Sequence, residues 1–471
     1  MLALKEVKRL CKEFGFTAGM LKGSLAEGKK KQINIQFYTH ACFSVENEKI
    51  ILLNDPYLSG TAFNDGWDLI VNNIEFDRFS EKQLFIYYSH EHPDHFSIPF
   101  LKSISKEIRR DITIVFQKTR DGRVKSFLQK EGFSVLELAN KARTQISKDF
   151  FITIGQVPFY DSWALIEVNG KKILNANDCI LETPDRVSDI KETTDTVDIL
   201  FTQFSYANWV EGGSSDGTSR ALLAKEKLQR IKMQSDVLKP GFIVPFASMV
   251  RFCHIENSYM NDEINTPDET VDFISNNTYA EPFLMVPYEN WDGVTPKSNQ
   301  SAIQFWNAAY ETALNRPLIE AKKSYTIDEI ASASNDMRER VGKRNNRLLI
   351  FLLDAFGLLP TQIIKISDLN CYVRFNWRQG LHTFGKEQEQ SSVELTSESL
   401  YFLFKFDFGI DTLNVNARFS GSLAQKKSLI RTFSPLALNN TGRYISILGL
   451  ISTFSEPAFI KQGLRTVGLA R

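Results

Sequence analysis

Residues 84–97, LFIYYSHEHPDHFS, constrain the fold of this chain more than any other stretch. An apolar run from Leu84 to Tyr88 has the composition of a buried strand and ends abruptly at Ser89. Four side chains of the types that bind divalent metal ions follow within the next six positions. They are His90, His92, Asp94 and His95.

The order of these side chains predicts how they divide between metal ions. Alternate residues of an extended segment point to the same side, so His90 and His92 can hold one ion. Asp94 and His95 lie beyond Pro93, which stiffens the turn, and can face a second ion. The alternative is a polar loop with coincidental histidines. We favour a metal site, because three of only six histidines in the chain lie here.

This HxHxDH arrangement resembles the metal-binding loop of the metallo-β-lactamase superfamily. Residues 33–60 predict two or three strands that lead to Asp55-Pro56, and in the superfamily such a pair lies under the metal loop. Further along, KKILNANDC leads to Asp178 and IVPFASMVRFCH ends at His254. The resemblance implies that Asp178 bridges two ions and that His254 is the last ligand.

Within the superfamily, the chain resembles the catalytic part of the CMP-N-acetylneuraminate hydroxylases. The pattern of that family is echoed, in order, in THACFSV, DPYLSGTAFNDGWDL, SHEHPDHFS, KKILNANDC and LKPGFIVPFASMVRFCH. The resemblance covers residues 33–300. The metal loop is its specific signal, and the other segments support it mainly by their order.

The resemblance implies an α/β protein built as a metallo-β-lactamase-like αββα sandwich, with two mixed sheets face to face and helices outside. We expect a helical arm at 1–32, the catalytic domain at 33–300, and a smaller α/β accessory domain at 301–471. In the accessory domain, the apolar patterns LYFLFKFDF and TLNVNARFSG predict strands. The most apolar stretch, LLIFLLDAFGLL (348–359), predicts a buried helix.

Two departures from the family pattern affect the predicted site. The histidine that the superfamily usually supplies before the bridging aspartate is missing, and its place falls near Val157. Gln156, Tyr160 and Asp161 are the nearby polar side chains. Asp161 can ligate a hard metal or act as a structural hydrogen-bonding residue, and we favour the structural role. The hydroxylases also carry a Rieske iron–sulfur domain, and no Cys-x-His with a following Cys-x-x-His occurs in these residues.

Other histidines and cysteines near these motifs are given structural roles. His40, in YTHACF, matches a superfamily histidine that lies beside the site without binding metal, so we do not count it as a ligand. His382 is expected on the surface. Cys179 and Cys253 each adjoin a predicted ligand, but adjacent strand residues point to opposite faces, which predicts that both are buried in the core.

The resemblance implies two divalent metal ions, zinc or iron, as cofactors. Because one histidine of the superfamily pattern is absent, the first ion would have only His90, His92 and Asp178 as ligands. Asp94 is the expected catalytic residue, because it would hold the second ion and orient the nucleophilic hydroxide. The implied metal ligands are His90, His92, Asp94, His95, Asp178 and His254.

Two reaction types fit this set of ligands. Hydrolysis of an ester, lactone, amide or phosphodiester by a metal-activated water is the default that the superfamily implies. The alternative is a non-haem di-iron oxygenase that acts on a nucleotide-sugar-like substrate and takes electrons from a separate ferredoxin. The missing histidine argues mildly against a dizinc hydrolase, and the missing Rieske motif argues against a self-sufficient oxygenase. We place the hydrolase slightly ahead, and a non-catalytic binding module third.

Composition narrows the partners. The chain has 56 Lys+Arg and 56 Asp+Glu, so no general field attracts nucleic acid or an anionic membrane. No apolar run reaches the length of a membrane span. Five cysteines without a CxxC pair, and a start without a signal-peptide core, predict a cytoplasmic protein. We expect a small-molecule substrate, no nucleic-acid or membrane partner, and allow for a homo-oligomer.

Overall fold

Two seven-stranded mixed sheets form the larger part of this computed structural model, which describes residues 33–79, 81–210, 217–384 and 393–446. The helical arm predicted at 1–32 lies outside the described residues. In spatial order, the first sheet contains β17 (Asn290–Trp291), β1 (Asn34–Thr39), β2 (Cys42–Glu46), β3 (Ile50–Asn54), β6 (Gln83–Tyr87), β7 (Thr113–Gln117) and β8 (Ser134–Leu138). The second contains β16 (Glu281–Pro282), β14 (Phe242–Phe246), β13 (Ile199–Gln203), β12 (Lys171–Asn175), β11 (Asp161–Val168), β10 (Phe150–Val157) and β9 (Thr144–Ser147).

Two smaller sheets and the helices complete the described chain. A three-stranded sheet contains β15 (Val250–Phe252), β5 (Trp67–Leu69) and β4 (Thr61–Ala62), and a four-stranded sheet contains β20 (Gly380–Phe384), β19 (Cys371–Asn376), β18 (Gln362–Ile366) and β21 (Val393–Leu395). The α-helices are α1 (Ile98–Ser103), α2 (Arg123–Lys130), α3 (Pro184–Thr194), α4 (Thr218–Leu238), α5 (Pro267–Asn277), α6 (Gln300–Leu314), α7 (Ile327–Arg344), α8 (Arg347–Ala355), α9 (Ser397–Lys405), α10 (Gly409–Asn416), α11 (Leu423–Thr432) and α12 (Ser434–Asn440).

The large sheets face each other across a continuous apolar core. Successive side chains of β3 point to opposite faces of the first sheet. Leu52 points into the core between the sheets, while Leu53 packs on the outer face in a cluster with Leu128 of α2. The rings of Phe43 and Phe201, one from each sheet, stack with centroids 4.1 Å apart. The predicted αββα sandwich is therefore confirmed.

The carboxyl ends of the parallel strands meet at one edge of the sandwich. β3 runs parallel to β6 in the first sheet, and β12, β13 and β14 run parallel in the second. Across the interface, the side-chain amide of Asn175 donates to Oδ1 of Asn54 over 3.4 Å. Loops that leave these strands consequently converge, and they carry the candidate site.

The additional C-terminal α/β region packs in a second core around the four-stranded sheet, and residues of the three-stranded sheet such as Trp67 and Phe252 belong to this core too. Trp306 of α6 still belongs to the sandwich core, where its indole donates to the Met285 carbonyl over 2.9 Å. Ile330 of α7 belongs to the second core. Packing thus changes from the first core to the second between α6 and α7, and the domain boundary at residue 300 stays a prediction.

Two predictions for this region are wrong. The patterns LYFLFKFDF and TLNVNARFSG form helices α9 and α10 instead of strands. In α9 the residues Leu400, Leu403 and Phe404 are buried, which is the spacing of one helix face, and the Thr396 hydroxyl caps the helix by accepting from the Ser399 amide. The stretch 348–359 does contain a helix, α8, but most of its large apolar side chains are exposed.

A buried arginine joins this region to the sandwich. Arg418 forms ion pairs with Glu256 at 2.7 Å and with Glu398 at 2.6 Å, and its guanidinium also donates to the Asn64 carbonyl at 2.7 Å. Its side chain is only 1% exposed. Because two carboxylates and a carbonyl surround it, this guanidinium is fully compensated where it crosses between the two cores.

We predict that Arg418→Met destabilises the protein by about 3 kcal/mol, because two half-buried carboxylates then lose their shared cation. The free energy of unfolding from urea titration measures this change. Arg340→Met is the matched control, since Arg340 and its partner Asp407 are each 32% exposed. That control should cost less than about 1 kcal/mol. Equal losses in the two variants would contradict the inference that burial makes the Arg418 contacts important.

Candidate metal centre

Asp55 fixes the start of the metal loop. It follows β3 and lies beside the end of the parallel strand β6. Its Oδ1 accepts from the Ser89 amide at 2.8 Å, and its Oδ2 accepts from the Ser89 hydroxyl at 2.8 Å. Oδ2 also lies 3.0 Å from Nδ1 of His95. A carboxylate on the outer ring nitrogen leaves Nε2 of His95 to face the site.

One group of potential ligands contains His90, His92 and Asp178. Nε2 of His90 and Nδ1 of His92 lie 2.9 Å apart, so both nitrogens converge on one point. Asp178, which follows β12, places Oδ1 at 3.9 Å from Nε2 of His90. The same oxygen lies 3.6 Å from Nε2 of His95, so Asp178 stands between this group and the next.

A second group contains His40, Asp94 and His95, all of them buried. Oδ2 of Asp94 lies 3.3 Å from Nε2 of His40 and 3.4 Å from Nε2 of His95. The ligand atoms of this group all lie within 4.8 Å of one another, and so do those of a group formed by His90, His95 and Asp178. The structure thus brings together five of the six predicted ligands and adds His40.

The atoms of these groups are suited to cations. Asp94 Oδ1, His95 Nε2 and Asp178 Oδ1 are buried without a hydrogen-bond partner. Buried polar atoms normally have one, and exceptions are typical of ion sites. Imidazole nitrogens and carboxylate oxygens are donors for iron and zinc alike. The residues therefore fit the dinuclear centre expected of this fold.

Asp161 lies at the edge of the first group. Its Oδ1 is 3.4 Å from Nδ1 of His90, the nitrogen that faces away from His92. Burial raises the pKa of Asp161 well above its usual range, and the nearby Asp178 carboxylate adds to this effect. In this position Asp161 contacts the outer nitrogen of a potential ligand, where a carboxylate can hold the ring with its other nitrogen toward a metal ion.

The histidines and carboxylates of the site shift one another's pKa values. Burial alone would lower the pKa of His95, but the carboxylates of Asp94, Asp178 and Asp55 outweigh it and raise that pKa to about 10. Burial raises the pKa of Asp94, but His95 and His40 lower it by more. The net effect is that the pKa of the Asp94 carboxyl lies below its usual range. The cluster therefore stabilises an ionised Asp94, which is the form that binds a cation.

His254 lies apart from both groups. Its backbone pairs with Ile319, and its Nδ1 lies 3.2 Å from the Glu256 carboxylate, which in turn binds Arg418. The described contacts of His254 are thus with the junction between the two cores. The structure does not bring this predicted ligand to the metal groups.

His40 is the residue that the sequence analysis set aside. It follows β1, where the register against β2 shifts between Phe37 and Thr39, and it has a φ of +45°. Its carbonyl accepts from the Ala247 amide at 2.9 Å, at the end of β14. Bulges redirect side chains, and no spacing pattern in the sequence announces this one.

The C-terminal region also reaches the metal loop. Arg123 binds Glu91 at 2.8 Å and donates to the Asn440 carbonyl at 2.6 Å. The side-chain amide of Asn440 donates to Asp411 at 2.6 Å. From the sandwich itself, the Phe63 ring packs against His92 with centroids 5.6 Å apart. One rim of the site is therefore built from the C-terminal region.

The remaining assignments concern residues outside the groups. Cys179 and Cys253 are buried, and His382 is exposed. Within the described residues, no helix is long and apolar enough to cross a membrane.

We predict that His40→Ala weakens binding of one of two metal ions, while His254→Ala keeps both. The reason is that, of these two histidines, His40 has a ring nitrogen 3.3 Å from Asp94, whereas the described contacts of His254 are with Glu256 and Ile319. Apo protein should be titrated with Zn²⁺ by calorimetry, and the loss in His40→Ala should be about 10-fold or more in affinity. The reverse result, with His254→Ala losing an ion, would restore the ligand set predicted from the sequence.

We also predict that His254 makes the fold sensitive to acid. Burial and the Arg418 charge lower the pKa of His254 to about 4, against about 6.5 in an unfolded chain. Below the higher value the unfolded chain binds a proton that the folded protein excludes. Stability contributed by neutral His254 is complete above it and is lost as the pH falls toward 4, by up to about 3 kcal/mol.

Urea unfolding of wild type and His254→Gln at neutral pH and near pH 5 tests this prediction. The variant should lose less stability on acidification than wild type does. An equal loss in both proteins would show that other groups control the acid sensitivity.

Comparison with known proteins shows similarity to one group of curated enzymes. No family model matches it. A cytidine monophosphate-N-acetylneuraminic acid hydroxylase from Danio rerio is 29% identical over 252 residues, which are 50% of this chain and 41% of that protein. The chain spans less than half the length of the curated relatives it matches.

Two solved structures superpose on part of the fold. Igni18, a metallo hydrolase from Ignicoccus hospitalis, is 16% identical with a TM-score of 0.36, covering 55% of this chain and 97% of that chain. CmlA, a diiron beta-hydroxylase from Streptomyces venezuelae, is 14% identical with a TM-score of 0.39, covering 61% of this chain and 60% of that chain. The chain thus folds as an αββα sandwich with buried histidine–aspartate groups, and half of its length is similar to the cytidine monophosphate-N-acetylneuraminic acid hydroxylases.

Proposed function

We propose that this protein is an iron-dependent hydroxylase with a dinuclear centre. The observation that carries the proposal is the composition of the two ligand groups. One group consists of His90, His95 and Asp178, with His92 beside His90, and the other consists of His40, Asp94 and His95. Each group offers two histidines and one carboxylate, which is the donor set typical of non-haem iron oxygenases.

The missing third histidine leaves the choice of metal to the surroundings of the two groups. A catalytic zinc site commonly has three histidines, or two with a carboxylate, and a fourth position for water, so the histidine count fits zinc and iron alike. Asp161, four residues after the place of the missing histidine, brings a further carboxylate beside the first group. Oxygen-rich surroundings favour iron or manganese over zinc. The related hydroxylases provide a precedent for oxidative chemistry, although the match covers 41% of the first of them.

The chain's own residues hold and orient this chemistry. Asp178 lies between the two groups, and Asp55 keeps a proton on Nδ1 of His95 so that Nε2 points inward. Bound iron would supply the activation of dioxygen. Insertion of one oxygen atom into a C–H bond sends the other atom to water and consumes two electrons and two protons.

A separate ferredoxin is the proposed source of the electrons, because the 471 residues contain no Rieske ligand motif. The proposed substrate is a small molecule of the nucleotide-sugar type, by analogy with the relatives alone. Its entry would lie beside His92, where the Phe63 ring and the C-terminal region form the rim.

A metal-dependent hydrolase is the second candidate, and Asp94 favours it. The Asp94 carboxylate is buried, it is held ionised by His95 and His40, and its Oδ1 has no hydrogen-bond partner. An aspartate in that state can orient a metal-activated hydroxide for attack on an ester, lactone, amide or phosphodiester.

Metal identity and reactivity together test the proposal. Protein purified without added metal should contain about two irons per chain and show an EPR signal of a coupled mixed-valence pair after partial reduction. Apo protein reconstituted anaerobically with Fe²⁺ should consume dioxygen when supplied with reduced ferredoxin. His92→Ala should abolish both properties, because His92 converges with His90 on one point, while the control His254→Ala should retain them.

Reconstitution with Zn²⁺ gives the opposing result. If the zinc protein hydrolyses bis(p-nitrophenyl) phosphate or a lactone in a His92-dependent manner, and the iron protein is inert toward dioxygen, the hydrolase is correct. Stoichiometric zinc in the purified protein would lead to the same conclusion.

A further inference from the structure

The helix α8 and the turn after it present an apolar face to solvent. Leu348, Phe351, Leu352 and Phe356 follow one another at helical spacing, and Leu358 lies just beyond. Their exposed fractions are 65%, 49%, 37%, 77% and 55%. A helix on the surface of a globular protein normally turns such a stripe toward the core. Here the stripe faces outward, so it requires another explanation.

The orientation of α8 is fixed from its inner side. Ile350 and Asp354 are buried. Asp354 accepts from the Trp377 amide at 3.3 Å and forms an ion pair with Arg378. Rotating the helix to bury its apolar stripe would expose Ile350 and break these polar contacts. The outward stripe is therefore built into the packing of this region.

A basic groove adjoins the apolar face. It has a volume of about 410 Å³, and Phe351 forms one of its walls together with Trp377. Arg338, Arg347 and Arg378 line the same groove. Apolar side chains and guanidinium groups are thus presented side by side on one surface.

Two of these arginines form their hydrogen bonds with carbonyl oxygens. Arg338 donates to the carbonyls of Trp377 at 3.1 Å and Arg378 at 2.8 Å. Arg347 donates to the Gly342 carbonyl at 3.3 Å. One carboxylate, Glu339, also lines the groove, and it forms an ion pair with Lys343. Carbonyls satisfy hydrogen bonds but do not neutralise charge, so three arginines against one glutamate leave the groove basic and able to attract an anion.

We propose that the α8 face binds the surface of an anionic lipid bilayer. The five apolar side chains would enter the boundary between headgroups and acyl chains, with the helix lying in the membrane plane. The groove would take a lipid phosphate on Arg338 and Arg347. This attachment goes beyond the proposed reaction and does not depend on it.

Charge favours a bilayer over a second copy of the chain. In a symmetric dimer through α8, the same face of each copy would meet the other and bring Arg338 and Arg347 close to their equivalents. An anionic membrane instead offers complementary charge. The sequence predicted no membrane partner, because the net charge is zero and no segment is long enough to span a bilayer. A helix that lies in the membrane surface requires neither a positive net charge nor a spanning segment.

Flotation of the full chain with lipid vesicles tests the proposal. The protein should float with vesicles of phosphatidylcholine and phosphatidylserine, and much less with phosphatidylcholine alone. The double variant Phe351→Ser/Phe356→Ser should lower the bound fraction about 10-fold or more, because it removes two of the inserted rings. Arg347→Gln should reduce the preference for phosphatidylserine.

The matched control is Leu222→Ser/Tyr279→Ser, which removes two exposed apolar side chains, 69% and 105% exposed, on other helices and turns. It should float like wild type. Binding that is unchanged in the α8 variant would overturn the proposal. Two other results would overturn it as well. In one, the wild-type protein does not bind vesicles but forms a dimer that the α8 variant does not form. In the other, the full chain does not bind vesicles but a chain that lacks residues 447–471 does.

Discussion

The metal loop depends on one carboxylate, Asp55. Its two oxygens hold the Ser89 backbone, the Ser89 hydroxyl and Nδ1 of His95, all within 3.0 Å. The pairing of β3 with β6 places Asp55 where β6 ends, so the sheet itself determines where the loop begins. The inward direction of Nε2 of His95 follows from that placement, because a ring nitrogen is fixed when the outer nitrogen has a partner.

How far sequence predicts structure differs between the two halves of the centre. The HxHxDH spacing was sufficient to gather four potential ligands on one loop, whereas Asp178 comes from the other sheet and was expected from the family resemblance. The sixth depends on tertiary structure. His40 reaches Asp94 through a register shift and a positive φ, whereas His254 leaves the site because the segment around it pairs with Ile319. Neither event has a local signal.

The C-terminal region was harder to predict for a related reason. Its apolar runs satisfy both helical and strand periodicity over a few residues, and capping by Thr396 together with burial of one helix face decides for α9. The prediction that the stretch 348–359 is buried was wrong, because it assumed that apolar residues of a helix face the core. That assumption fails where contacts such as Asp354 with Trp377 determine which side of a helix is buried.

The hydrogen bond between Arg123 and the Asn440 carbonyl joins residues 317 positions apart. During synthesis the sandwich therefore emerges from the ribosome long before the segment that borders its histidines. The border that Asn440 gives to the metal loop can therefore form only after nearly the whole chain has been made.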